Sequence, residues 1–175
     1  MTNYSTSVGT EHRVQHTLIL MRHSTALASG NDLARPLSAE GRQRAGFQGL
    51  RLIEDVGSID RVLVSDALRT QQTLEAMISV GLQVKDVSIE HLLYSASGPR
   101  VLDAITETDE SVRTLLVLFH QPSVSTAAIM LTPEQDRRLL TGGFPPATYV
   151  VGLVDAAWAD LETWTLQYAR RPQGA

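Results

Sequence analysis

The 175-residue chain has no cysteine, which excludes disulfides and thiolate metal sites together. It also lacks any run approaching the roughly eighteen apolar residues of a membrane span. Neither sign of charge dominates. Fifteen Lys and Arg stand against nineteen Asp and Glu, and the net charge of −4 argues against nucleic acid or an anionic membrane as principal partner. The polar start, Met1-Thr2-Asn3-Tyr4-Ser5-Thr6-Ser7, has no basic segment followed by an apolar core, so it does not read as a secretory signal. What is present is 43% hydrophobic and 19% charged, the composition of a globular protein. A chain of this length is expected to build one domain with a full core, in a cytoplasmic enzyme or binding protein.

Residues 1–14 lack periodicity and are expected to form a flexible tail before a single domain over 15–171. Strands are expected at about 17–21, 61–65, 83–89 and 113–119, where apolar residues run continuously or nearly alternate. Helices are expected between them, at about 39–54, 66–79 and 98–106, and after the last of them to about 131. Ser38 and Ser123 read as N-caps, Asp66 as a first-turn acid, and Pro99 as a first-turn proline. Gly46, Phe47, Gly49, Leu50 and Ile53 can share a face of the first helix, its glycines allowing close packing on a sheet. Leu68, Gln71, Leu74 and Ile78 stand at helical spacing in the second. A loop over 133–146 with a short basic helical piece leads to strands at 147–154 and 163–169. The pattern predicts an α/β domain: a three-layer α/β/α sandwich with a mostly parallel sheet and an antiparallel C-terminal edge.

Three strand ends carry the chemistry. The first stops on Arg22-His23, the second leads through Ser65 to Arg69, and the fourth stops on His120. Parallel sheets bind ligands beyond the carboxyl ends of their strands, so two histidines and two arginines can converge there. Arginine presents a fork suited to phosphate oxygens, and histidine can carry a covalent intermediate.

Leu20-Met21-Arg22-His23, Arg35-Pro36-Leu37-Ser38-Ala39-Glu40-Gly41, the stretch from Val64 to Thr73 and His120-Gln121-Pro122 together resemble the histidine phosphatase superfamily, whose fold is phosphoglycerate mutase-like. The short chain and the Arg-Pro-Leu-Ser element are most similar to its SixA-type phosphohistidine phosphatases. The resemblance implies that His23 is a nucleophile that becomes phosphorylated and that Arg22, Arg69 and His120 complete the phosphate pocket. It implies that Arg35 adds a further positive contact to substrate and that neither metal nor cofactor is required.

Two positions depart from the family pattern. Ser24 replaces the commoner glycine, a tolerated change. Asp66 replaces a frequent proline and brings a carboxylate near an anion pocket. No proton donor is obvious; Glu90 is the first candidate and Asp66 the second. General acid help is worth about 10²–10⁴-fold for an alcohol leaving group. Imidazole, with a reference pKa of roughly 6.5, can already be protonated near neutrality. The expected substrate is therefore phosphohistidine on a protein. The alternatives are a small phosphorylated metabolite and a non-catalytic phosphate-binding module. Nothing indicates the oligomeric state.

The ordinary readings of single residues stand beside these. Arg35 could pair with Asp32, and Ser65 reads as a cap for the next helix. His12, His16 and His91 read as surface residues, Gly142-Gly143 as a turn, Arg137-Arg138 as a solvated face, and Trp158 and Trp164 as packing residues.

Overall fold

A computed structural model describes residues 15–28 and 30–172. The expected tail of residues 1–14, with His12, lies outside the described residues. Six strands form one sheet in the order β3-β2-β4-β1-β5-β6. They are β1 His16–Arg22, β2 Ile59–Ser65, β3 Val84–Glu90, β4 Thr114–Phe119, β5 Tyr149–Val154 and β6 Thr165–Arg170. The first four pair in parallel, whereas β5 and β6 run antiparallel at one edge. The helices are α1 Ala39–Val56, α2 Leu68–Ser79, α3 Leu92–Ser95, α4 Gly98–Thr106 and α5 Ser123–Leu131. This is the expected mixed α/β fold. Among the described residues no helix is long and apolar enough to cross a membrane.

The central strands explain their own sequences. Leu18–Met21 and Leu115–Phe119 are wholly buried because both faces of the sheet are covered. Alternate side chains enter two cores. Leu18, Leu20, Val117 and Phe119 pack with α4 and α5 on one face. Ile19, Met21, Leu116 and Leu118 pack with α1 and α2 on the other. Truncating any of these leucines to alanine would cost about 2–5 kcal/mol.

Several local expectations need correction. Ser38 does cap α1, accepting from Gly41 N–H at 2.9 Å. The buried stripe of α1, however, is Gly41, Ala45, Gly46, Gln48, Gly49 and Leu52, while Phe47 and Leu50 are 60% and 44% exposed. The glycines serve helix–helix rather than helix–sheet contact: a Cβ on Gly49 would lie 2.9 Å from Met77 Cα of α2. Helix α2 begins at Leu68, so Asp66 precedes it and is no first-turn acid. Its inward face is Thr70, Thr73, Leu74 and Met77, with Ile78 exposed. The threonines bury without penalty because their hydroxyls donate to the Ser65, Ala67 and Arg69 carbonyls. Ser123 is the first residue of α5 rather than its cap, and donates to Ala96 O. The four-residue α3 was not expected from the sequence.

His16 is fully buried, not a surface residue. Its Nδ1 lies 3.0 Å from Val112 O, its Nε2 lies 3.1 Å from Glu110, and its ring packs on Trp158 at 4.6 Å. These contacts tie the start of β1 to the segment before β4, at the sheet edge opposite the histidine-bearing strand ends.

Candidate active site

Strands β2, β4 and β1 are consecutive in the sheet and parallel, so their carboxyl ends share one edge. Arg22 stands opposite Phe119 in register, which delivers His23 and His120 side by side with ring centroids 5.1 Å apart. The His23 backbone N–H donates to Phe119 O at 3.1 Å, locking that relationship. Arg69 arrives from the first turn of α2, immediately after β2.

The tautomer of His23 follows from its partner. Nδ1 lies 2.7 Å from the Ser24 carbonyl, an acceptor, so Nδ1 bears the hydrogen. Nε2 keeps its lone pair and receives the Arg69 Nε–H at 3.3 Å. Burial pushes the pKa of His23 down to about 3; the Ser24 carbonyl opposes this, while His120, Arg69 and Arg22 reinforce it. The imidazole is therefore neutral at ordinary pH.

His120 is fixed from both sides. An Arg69 Nη2 hydrogen points to its Nδ1 at 3.3 Å, and its Nε2–H points to Ser65 Oγ at 2.9 Å. Burial and the Arg69 charge push its pKa down to about 4, against the opposing fields of Asp32 and Asp66. Ser65 also accepts weakly from Ala67 N–H at 3.4 Å, but it is not the helix cap expected from sequence. Arg22 donates through Nη1 to Phe144 O at 2.7 Å, and its buried Nε has no partner among the described residues.

Arg69 is held by one edge. Nη1 donates to Asp32 O at 2.7 Å and Nη2 to Asp32 Oδ2 at 3.1 Å. The opposite edge, Nε with the second Nη2 hydrogen, faces the two histidines. Asp32 is itself braced by Arg35 Nη1 at 3.0 Å and Tyr94 O–H at 2.8 Å. Hydrogen bonds from Tyr94 and Arg35, with the charge of Arg69, hold its carboxyl down at about 2. Tyr94 also turns its ring edge-on to His120 at 5.7 Å, with the Arg69 guanidinium 5.9 Å from its centroid. Sequence reasoning missed Asp32 as a site residue, and missed Tyr94 altogether. The only signal was the i,i+3 spacing of Asp32 and Arg35.

The remaining sequence-predicted residues fall as follows. Arg35 contacts Asp32 and Leu27 O, not the histidines. Asp66 Oδ2 pairs with His91 Nδ1 at 2.5 Å, so His91, though exposed, has a partner. Glu90 ends β3 opposite Ser65 in backbone register, but its side chain accepts from Ser88 Oγ at 2.6 Å and lines a hollow with Arg61, Leu63 and Leu93. The structure brings neither acid candidate into contact with His23. Ser24 is buried with its hydroxyl donating to Gly41 O at 2.7 Å, tying β1 to α1 away from the histidines. Among the described residues no three His, Asp or Glu side chains form a metal-binding group.

Two neutral imidazoles, two arginines and a lone pair aimed among them can receive a phosphoryl group. No protein-family model matches the chain. An uncharacterized protein of Mycobacterium tuberculosis is 34% identical over 149 residues, covering 81% of this chain and 92% of that protein. Phosphohistidine phosphatase SixA of Escherichia coli is 28% identical over 127 residues, covering 71% and 79%. A SixA-type structure from Nakamurella multipartitia matches with a TM-score of 0.78 at 28% identity, covering 91% of this chain and 98% of that one.

Proposed function

The chain belongs to the histidine phosphatase superfamily, on its SixA-like branch, and from that premise we propose that it dephosphorylates phosphohistidine on a protein through a covalent intermediate on His23. The observation that carries this reading is the Ser24 carbonyl on His23 Nδ1, which leaves Nε2 as a neutral nucleophile beside Arg69.

The substrate phosphoryl group enters among Arg22, Arg69 and His120. His23 Nε2 attacks phosphorus in line as the bond to the leaving nitrogen breaks, its electron pair passing to the leaving imidazole. The Arg69 edge that faces the histidines and the unpartnered Arg22 Nε–H stabilise the equatorial oxygens, the main electrostatic contribution in phosphoryl transfer. Water then attacks the phosphorylated His23, and inorganic phosphate departs. The leaving imidazole needs no enzyme acid when its distal nitrogen is already protonated. This matches the distance of Glu90 and Asp66 from direct contact with His23.

The test has two arms. His23→Ala should abolish release of phosphate from a generic aryl phosphate, whereas a binding module would show no His23-dependent release at all. A phosphohistidine protein should then be turned over in preference to a panel of sugar phosphates. Turnover of a small phosphomonoester with none of the phosphohistidine protein would overturn the substrate assignment.

A further inference from the structure

Asp32 presents an acceptor that the fold does not use. A carboxylate offers about four lone-pair sites. Three are occupied: Arg35 takes one on Oδ1, and Arg69 and Tyr94 take two on Oδ2. Among the described residues nothing donates to the second site on Oδ1, and the side chain is 51% exposed. A carboxylate in this position is unexpected, because it repels the phosphate that Arg69 attracts. Its cost to an anionic substrate needs an offsetting gain.

The gain lies in the leaving group. Asp32 grips one edge of Arg69 while His23 takes a hydrogen bond from the other, so Asp32 stands one guanidinium width from the attacking nitrogen. In-line attack by His23 Nε2 places the leaving group on the far side of phosphorus from that nitrogen. Tyr94 holds the same carboxylate through its hydroxyl at 2.8 Å, its ring lying between the Arg69 guanidinium and the stacked ring of His91.

We propose that Asp32 is a specificity residue that accepts the distal N–H of a phosphorylated imidazole and keeps that ring protonated until it leaves. The inference rests on the phosphohistidine reading above and deepens it. The protonated ring is the reactive form. As the phosphorus–nitrogen bond breaks, the electron pair goes to the proximal nitrogen, the proton stays on the distal one, and neutral imidazole departs. No proton is taken from the enzyme. A nearby carboxylate favours the cationic ring and so extends turnover to higher pH. The charged and titratable groups facing Asp32 are Arg35 from its own loop, Arg69 from α2, Tyr94 from α3, and His120 beyond Arg69. Phosphate esters have no such ring and gain nothing from the carboxylate.

The test compares Asp32→Asn with the natural enzyme on a chemically phosphorylated histidine peptide and on an aryl phosphate. Asparagine retains an oxygen for Arg69 but removes the charge. Any disturbance passed through Arg69 affects both substrates and cancels in the ratio of their kcat/KM values. That ratio should fall tenfold or more in favour of the aryl phosphate, and the basic limb of kcat on the peptide should move to lower pH. Tyr94→Phe, which leaves the charge in place, should shift the ratio less. An unchanged ratio with an unchanged basic limb would overturn the inference while leaving the phosphohistidine reading intact. Failure of the natural enzyme to act on the peptide, with His23-dependent aryl phosphate release, would overturn both.

Discussion

His120 Nε2 lies 2.9 Å from Ser65 Oγ, so the histidine ending one strand is oriented by the serine ending its neighbour. Both residues are buried, and removing the serine oxygen would strand an N–H at a cost of about 1–3 kcal/mol. Ser65→Ala should therefore lower kcat by about fivefold to a hundredfold. Steady-state kinetics beside a thermal melt would separate this from unfolding. Unaltered kcat in a folded variant would remove His120 orientation from the mechanism.

Arg69→Lys keeps the charge and loses the fork. Lysine cannot meet Asp32 with one edge and the histidines with the other, as Arg69 does. We expect kcat/KM to fall by about 10²–10³-fold with the fold intact. A loss within a few-fold of the natural enzyme would mean that charge alone suffices.

The histidine pair makes stability depend on pH in a definite direction. Burial holds His23 at about 3 and His120 at about 4 in the folded protein. In the unfolded chain an imidazole titrates near its reference value of about 6.5. Between these values the unfolded chain binds more protons, so the pair's stabilising contribution is complete above the unfolded value and is lost as pH falls toward 3. Melting curves of His23→Asn across this window should decline less steeply with acid than those of the natural protein. Parallel declines would contradict the assignment of a half-buried, neutral His23.

Gly49→Ala tests the close approach of α1 and α2. The added methyl would lie 2.9 Å from Met77 Cα and 3.1 Å from Val80 Cγ2. Overpacking of this kind should destabilise by about 1–3 kcal/mol, read from denaturant unfolding, with His23-dependent turnover retained. Full stability would mean that the helices separate at little cost.

Much of the site is legible in the sequence because its parts stand at the ends of apolar runs. Leu18–Met21 and Leu115–Phe119 have to be central strands, and Arg22-His23 and His120 terminate them. Glu90 shows the limit of that reasoning: it too ends a strand, but its side chain turns to Ser88 and a separate hollow. His16 misleads in the opposite way. It stands at the start of the strand that His23 follows, yet Val112 O and Glu110, about a hundred residues away in the chain, make it a buried structural residue.

The sequence by itself determined the layers, the parallel core of the sheet, the antiparallel edge and the positions of Arg22, His23 and His120 at strand ends, with Arg69 in the helix after the second strand, since these follow from periodicity and from where each apolar run stops. Only the tertiary structure decided the arrangement around Asp32. That residue comes from the long loop after β1, Tyr94 from a four-residue helix after β3, and Arg69 from α2. No local propensity relates the three. They meet because loop closure, strand order and helix packing bring separate segments within hydrogen-bond distance, and a contact of that kind exists only once the whole chain has folded.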